Sequence, residues 1–412
     1  MTRKIIDKEY EFPCVEVKQG FGTFYACAIK ARDLLKLCEP IRAKVMEEEY
    51  SHEAIDISVS KTAGTQREVH TTRPKQIAEY IKSGSASFPN SIIIGANISE
   101  NGFLDEPKER KWRYSNGKLI IDKGALTSAV IDGQHRLKGF ETLDEEQSEL
   151  DDELLCSIYL NIPMTYHAQI FSTINSTQRK VNKNLIYQLY QIDMDEKKPE
   201  YWSPEVLSVY LSRALGSDDK SPLARRLNLA VASEKEVADG DWKASFSVVV
   251  EGVLKYFSSD PKGDRNLFYS RSDKVNEVER VYLKNDASPF RNLYLDGKDK
   301  QIYLFFLEYF KVFFDCVEKF DDTAFKSSVG IDAILSSGLE ILTFLSKNEF
   351  ENNLGTSLLA IDYASLPKDK TSSNRSLLRN VIIHSFCKLT GNKYDFHHSV
   401  NVEELDKYII NK

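Results

Sequence analysis

Strand-like and helix-like hydrophobic patterns alternate in the first half of the chain. CVEVKQGFGTFYACAIKA, from residue 14, and KWRYSNGKLIID, from residue 111, place β-branched and aromatic residues around glycines or an Asn-Gly pair, which predicts two β-hairpins. The apolar runs FPNSIIIGANI, LTSAVIDG and ELLCSIYLNI predict buried strands. Helices are predicted in ARDLLKLCEP, in RPKQIAEYIKSG and in QHRLKGFETL, the first two of which carry proline or glycine near their ends.

The strand signals thin out after about residue 192, and apolar residues then recur at helical spacing. The most apolar stretch, QIYLFFLEYFKVFFDCV from residue 301, carries Glu308, Lys311 and Asp315 at spacings of three and four, so they share one helical face. This pattern predicts an amphipathic core helix and not a membrane span. The charged stretch QIDMDEKKPE, from residue 191, marks a boundary. We therefore predict an α+β domain over 1–190 and a mainly α-helical domain over 191–412.

Composition limits the function classes. The 412 residues are 42% hydrophobic and 28% charged, with a net charge of -7, which excludes a uniformly basic nucleic-acid binder but leaves a local basic patch open. Six scattered cysteines form no CxxC pair, so we expect reduced thiols and a cytoplasmic protein. The N-terminus has no apolar stretch of signal-peptide length.

The candidate chemistry lies in SAVIDGQHRLKGF, residues 128–140, where a strand-like run becomes a helix-like one. The first N–H groups of a helix lack intrahelical partners and carry partial positive charge. Gly133 permits a sharp turn and a close approach, Arg136 adds a planar fork of donors, and His135 adds a further donor. Such a junction suits an anion, above all a phosphate.

Asp132 would repel a bare phosphate, so we expect a cation such as Mg²⁺ between the two. A purely structural alternative is open at each position. Asp-Gly is a common turn, Asp132 is able to cap the helix or pair with Arg136, and His135 suits a solvated surface.

The five residues Asp132 to Arg136 spell DGQHR, and on them the chain resembles the DGQHR-domain family, which includes the DndB regulators of bacterial DNA phosphorothioation systems. That family is similar to the ParB/sulfiredoxin superfamily, whose Gly-x-Arg-Arg and Gly-Cys-His-Arg elements hold nucleotide phosphates at a comparable turn. The resemblance implies a ParB/sulfiredoxin-like N-terminal domain with a mixed sheet, in which Gly133, Gln134, His135 and Arg136 hold the phosphates. A sulfiredoxin-like reductase is disfavoured, because Gln134 stands where its cysteine would be.

Two flanking stretches extend the resemblance, which covers roughly residues 15–190. Gln66 and Arg67 match a Gln and an Arg that precede a helix in ParB, and Asn175, Gln178 and Arg179 match an Asn-x-x-Arg or Asn-x-x-Gln element. ParB often has a metal-ligating glutamate where this chain has Ile174, so Asp132 is the better metal candidate. The nearby cations suit either a DNA-binding patch or an exposed helix start, and they are Arg179, Lys180 and Lys183.

Three functions follow as hypotheses. The first is a DNA-associated regulator or defence component of a phosphorothioation-type system that binds an NTP, ATP or CTP, with Mg²⁺. Hydrolysis of the NTP is left open, with Asp132, His135 and Arg136 as its candidate catalytic residues. The alternatives are a DNA-binding transcriptional repressor without nucleotide chemistry and a Mg²⁺-dependent DNA nickase. The partners expected are DNA, nucleotide and DNA-modification proteins and no membrane, with homo-oligomerisation left open.

Overall fold

A computed structural model gives the fold of this chain. The residues that it describes are 9–20, 22–38, 44–63, 72–83, 86–98, 104–106, 108–122, 128–162, 166–167, 170, 183–190, 194, 197–230, 242–269, 278–320, 324–369 and 371–410.

The strands of these residues are labelled in chain order. They are β1 (Glu9–Gln19), β2 (Gly22–Lys30), β3 (Lys44–Ser51), β4 (Ser58–Ala63), β5 (Ile92–Ala96), β6 (Trp112–Ser115), β7 (Lys118–Asp122), β8 (Ser128–Asp132), β9 (Glu153–Leu160), β10 (Leu227–Asn228) and β11 (Ala244–Ser245).

The α-helices are numbered in the same way. They are α1 (Ala31–Leu37), α2 (Thr72–Lys82), α3 (Gln134–Glu141), α4 (Lys183–Leu189), α5 (Pro204–Ser217), α6 (Phe246–Leu254), α7 (Pro261–Tyr269), α8 (Arg291–Leu295), α9 (Asp299–Glu318), α10 (Ser328–Ile341), α11 (Lys347–Leu359), α12 (Ser372–Thr390) and α13 (Val402–Leu405). Short 3₁₀ turns lie at Ser148–Asp151, Pro199–Tyr201, Arg280–Tyr282, Tyr363–Ser365 and Asp406–Tyr408.

A curled seven-stranded sheet occupies the N-terminal part of the chain, in the order β6-β7-β1-β2-β9-β5-β8. Its neighbouring strands are antiparallel except for β5 and β9, which run parallel. Helices dominate the C-terminal half. The predicted fold class, a mixed sheet followed by a mainly helical part, is therefore confirmed.

The Asn-Gly hairpin shows how local sequence shapes this sheet. Strands β6 and β7 are joined by Asn116 and Gly117, whose φ angles are 51° and 75°. Asparagine and glycine tolerate this left-handed backbone better than other residues, and two such residues in a row form the tight turn that suits twisted strands. The hairpin predicted from KWRYSNGKLIID is thus present.

The core of the sheet lies on one face, beneath α1 and α3. Ile92, Ile94, Cys156 and Ile158 are fully buried there, and Phe140 of α3 packs with them. Helix α3 also packs closely on α2, because Gly139 offers no Cβ and an added one would lie 2.5 Å from Ile77 Cγ2. The helix that carries most of the DGQHR stretch is therefore anchored on its apolar side.

A second core holds the helices together. It is rich in aromatic rings from α9, where Phe306, Phe310 and Phe313 are fully buried. The opposite face of α9 carries Glu308 and Asp315, both exposed, so the predicted amphipathic core helix is confirmed. Within the described part of the chain, no helix combines the length and the hydrophobicity that a membrane span requires.

Two compact units divide the chain. We call residues 1–46 with 62–182 the sheet unit, and residues 47–61 with 183–412 the helical unit. Most of the β3–β4 hairpin thus belongs to the helical unit, although it lies between segments of the sheet unit in sequence. The single boundary expected at 190/191 stays a prediction.

Side-chain contacts explain this grouping of the hairpin. The backbone N–H of His52 donates to the Tyr210 hydroxyl, which in turn donates to the carbonyl of Ile57. The Tyr50 ring lies 5.6 Å from the ring of Trp202. The hairpin is therefore fixed to α5 through aromatic packing and hydrogen bonds within the helical unit.

A buried acid in α5 leads to a prediction about pH. Glu205 is 4% exposed, and its Oε1 accepts from Arg265 at 2.9 Å. Burial raises the pKa of Glu205 from 4.5 to about 7, with the attraction of Arg265 opposing the shift. Between these two pKa values the folded protein keeps a proton on Glu205 that the unfolded chain releases. The contribution of Glu205 to the free energy of unfolding is therefore fully present below about pH 4.5 and is lost as the pH rises to about 7.

We expect the free energy of unfolding to fall by on the order of 2 kcal/mol across this pH window. In Glu205→Gln, which cannot titrate at this position, this fall should be absent. Urea denaturation at several pH values from 4.5 to 8 measures the slope. Glu200→Gln, at a nearby exposed position, is the matched control and should leave the slope unchanged. Equal slopes in wild type and Glu205→Gln would contradict the assignment.

Candidate functional site

The predicted strand-to-helix junction is present at Asp132–Gln134. Strand β8 ends at Asp132, Gly133 takes φ 100°, and α3 begins at Gln134. A Cβ at position 133 would meet Ile92 Cγ1 at 2.9 Å and Arg136 Nη2 at 3.1 Å. Both the left-handed backbone and the close contact with Ile92 therefore require glycine here.

The start of α3 has no side-chain cap. Gly133 is the N-cap, and only its carbonyl takes part, accepting from the N–H groups of Arg136 at 2.9 Å and Leu137 at 3.1 Å. The β5–β8 register shifts between Ile93 and Ile94, next to the partner of Asp132. Irregular ladders of this kind are common beside functional sites, where they redirect a side chain.

Arg136 is the most constrained side chain of the turn. Its guanidinium donates to the carbonyls of Asn90 and Ser91, the latter at 2.9 Å, and its side chain is only 15% exposed. Burial lowers the pKa of Arg136, while the nearby Asp132 carboxylate opposes the shift. The side chain thus ties the segment before β5 to the first turn of α3.

Asp132 and Gln134 are placed differently. The Asp132 carboxylate is 38% exposed and lies 3.8 Å from Arg136 Nη2, beyond hydrogen-bond distance. The side-chain Oε1 of Gln134 is buried without a hydrogen-bond partner. A buried acceptor of this kind normally finds a donor, so this oxygen is a candidate contact for a ligand that carries one. His135, the residue after Gln134 in the motif, is partly buried.

Comparison with known families places this turn in a wider context. A family model described as DndB, DNA-sulfur modification-associated, matches residues 12–207, which include the whole DGQHR stretch. Residues 12–207 are similar to the DndB family. The resemblance to DndB predicted from DGQHR is confirmed over these residues, and the DndB family implies a role in a DNA phosphorothioation system. No curated protein and no solved structure matches the chain significantly.

Within the DndB-family segment, most flanking candidates fall outside the residues that the structure describes. These are Gln66, Arg67, Asn175, Gln178, Arg179 and Lys180. Lys183 is described, and it begins α4 in the helical unit, where its Nζ pairs with Glu251 Oε1 at 2.5 Å. All seven assignments stay predictions, as do those at Asp132 to Arg136.

A cation has one clear candidate ligand at the DndB-family turn. Asp132 is half-exposed and free of direct hydrogen bonds to Arg136, which fits Mg²⁺, since this ion commonly takes one or two carboxylates and completes its shell with phosphates and water. Across the residues described, no three or more His, Cys, Asp or Glu side chains group into a metal centre.

One residue that sequence reasoning did not single out is His167. It is 1% exposed, both of its ring nitrogens lack hydrogen-bond partners, and burial lowers its pKa to about 3. The imidazole lies against Gly95 of β5, where an added Cβ would be 2.0 Å from its Cε1. The signal in the sequence is the glycine within IIIGAN, because glycine inside a strand often marks a close approach.

Proposed function

We propose that this protein is a cytoplasmic, DNA-associated regulator of a DNA phosphorothioation system, and that it binds a nucleoside triphosphate at the turn formed by residues 132–136. Similarity to the DndB family supports the association with DNA sulfur modification. The observation that carries the nucleotide site is the glycine N-cap of α3, which has no side-chain cap and a left-handed backbone that only glycine adopts easily.

The phosphate end of the nucleotide would occupy the start of α3. The N–H groups of the first turn of α3 and the helix dipole favour negative charge there. Arg136 would act mainly as a positioning residue, because two carbonyls already engage its guanidinium while its positive charge stays beside the turn. Mg²⁺, held by Asp132, would neutralise the phosphate oxygens that approach this carboxylate.

The sugar or base end would supply a donor to Gln134. Its buried Oε1 suits a ribose hydroxyl or an amino group of the base, either of which satisfies the acceptor. A nucleotide would make both contacts, with its phosphate at the start of α3 and its donor at Gln134, whereas a bare anion would make only the first. Nucleotide state would then alter the affinity for DNA or for a DNA-modification protein, and any hydrolysis would depend on Asp132, His135 and Arg136.

The test is calorimetric titration of the full chain with ATP, CTP and GTP in the presence of Mg²⁺. We expect one of them to bind, and Gly133→Ala to weaken the affinity about tenfold or more, because the added Cβ displaces Ile92 and Arg136 from the turn. Gly117→Ala is the matched control, since Gly117 also has positive φ but no atom lies within 4 Å of the added Cβ.

Asp132→Asn should remove the dependence on Mg²⁺, while Asp122→Asn, at a carboxylate of similar exposure, should not. If none of the three nucleotides binds the wild type, or if Gly117→Ala weakens binding as much as Gly133→Ala does, the nucleotide site is wrong. Duplex binding that falls steeply with salt and ignores nucleotide would instead favour the repressor without nucleotide chemistry.

A further inference from the structure

Three cysteines form a row across neighbouring strands of the sheet unit. Cys14 of β1 lies opposite Cys27 of β2, and Cys27 lies opposite Cys156 of β9. Directly opposed residues of antiparallel strands project from the same face, so the three thiols share one face of the sheet. All of them are free thiols.

The backbone shows that Cys14 and Cys27 form the closer kind of pair. The N–H of Cys14 donates to the carbonyl of Gly117 at 2.9 Å, on the side of β7. Because the N–H and C=O of one residue in an antiparallel strand point to the same side, Cys14 makes no ladder bond to Cys27. Such non-hydrogen-bonded pairs have Cα atoms about 4.5 Å apart, at the short end of the range for disulfides, roughly 4.4–6.8 Å.

We propose that Cys14 and Cys27 are a site of reversible oxidation, at which a hydroperoxide converts the two thiols into a cross-strand disulfide. The Cys14 sulfur attacks the peroxide oxygen, which forms a sulfenic acid and releases an alcohol or water. The Cys27 sulfur then attacks the sulfenic sulfur, the S–S bond forms, and water leaves. Two thiols lose two electrons and two protons, and the hydroperoxide accepts both.

Exposure sets the order of these two steps. Cys14 is half-buried and accessible to a small oxidant, whereas Cys27 is 4% exposed and Cys156 is fully buried. Burial raises the pKa of Cys14, and it raises that of Cys27 to about 12, so little thiolate is present at neutral pH and the reaction should be slow. Cys156 forms a hydrogen-bonded pair with Cys27, in which the Cβ atoms lie farther apart than in a non-hydrogen-bonded pair, and this makes Cys156 the poorer disulfide partner.

The experiment treats the folded full chain with hydrogen peroxide, traps the remaining thiols with iodoacetamide and maps disulfides by peptide mass spectrometry. We expect a Cys14–Cys27 link, the loss of two of the six thiols, and full reversal by dithiothreitol. Cys387→Ser, which removes a half-buried thiol from α12, should still form the link.

Cys14→Ser and Cys27→Ala should each prevent the loss of a thiol pair. Far-UV circular dichroism verifies that each variant is folded, and Cys14→Ser alone keeps the test decisive if the buried Cys27→Ala does not fold. A folded wild type that forms no disulfide, or that links Cys27 to Cys156 instead, would overturn the assignment.

Discussion

Asp299→Ala is expected to lower the free energy of unfolding by about 3–5 kcal/mol, the usual effect of removing one partner from a buried ion pair. Asp299 is the first residue of α9, and its Oδ2 accepts from Arg280 Nη2 at 2.8 Å and from His52 Nε2 at 3.1 Å. All three side chains are at most 6% exposed. Without the carboxylate, the Arg280 guanidinium stays buried and uncompensated.

His52 gives this cluster its role in the fold. Its Nδ1 accepts from the N–H of Ala54 at 3.1 Å, so Nε2 carries the proton and donates to Asp299. The hairpin residue is thereby joined to α9 across 247 positions of sequence. Loss of Asp299 should therefore weaken the attachment of the hairpin as well as the start of the helix.

Urea denaturation of the full chain measures the effect. Asp296→Ala is the matched control, because this nearby carboxylate is 51% exposed and pairs with the exposed Lys298, so its loss should cost less than about 1 kcal/mol. Replacement of both charges, in Asp299→Ala with Arg280→Met, should recover part of the loss. If Asp299→Ala costs no more than Asp296→Ala, the cluster does not stabilise the fold.

The local pattern of the sequence was sufficient for much of the sheet unit. The glycine-flanked runs around residue 20 and the Asn-Gly turn at 116–117 form the predicted hairpins, because turn residues and alternating side chains act within a few positions. The DGQHR stretch also forms the predicted turn, because the positive φ of Gly133 depends on that residue alone and not on distant contacts. The long helix α9 followed from the period of its apolar positions.

Features that depend on distant contacts could not be predicted in this way. The parallel pairing of β5 with β9 and the bonds from Arg136 to the carbonyls of Asn90 and Ser91 join positions far apart in sequence. Every residue has a backbone carbonyl, so the sequence does not show which carbonyls an arginine will bind. From sequence alone, an arginine that binds phosphate therefore cannot be distinguished from one that binds the backbone of a loop. The hairpin within the helical unit is a further case, since the chain leaves the sheet unit and returns.

The contact between Gly95 and His167 gives the second large effect, a loss of roughly 3 kcal/mol of stability in Gly95→Ala. The added Cβ would lie 2.0 Å from His167 Cε1 and 2.1 Å from Nε2, so the strand or the buried ring would have to shift. Gly355→Ala is the control, because its Cβ would meet Val312 at an ordinary 3.7 Å and alanine favours the helix. That variant should be neutral or slightly more stable.

A double-mutant cycle with His167→Ala tests whether the ring itself is the obstacle. In the background of His167→Ala, Gly95→Ala should lose most of its cost, which gives a coupling energy of about 2 kcal/mol or more between the two positions. His167→Leu should also be close to neutral in stability, because leucine fills the site without the two unsatisfied nitrogens. If Gly95→Ala is equally costly with and without the imidazole, the strand requires glycine for another reason, and His167 does not determine how closely its segment packs on β5.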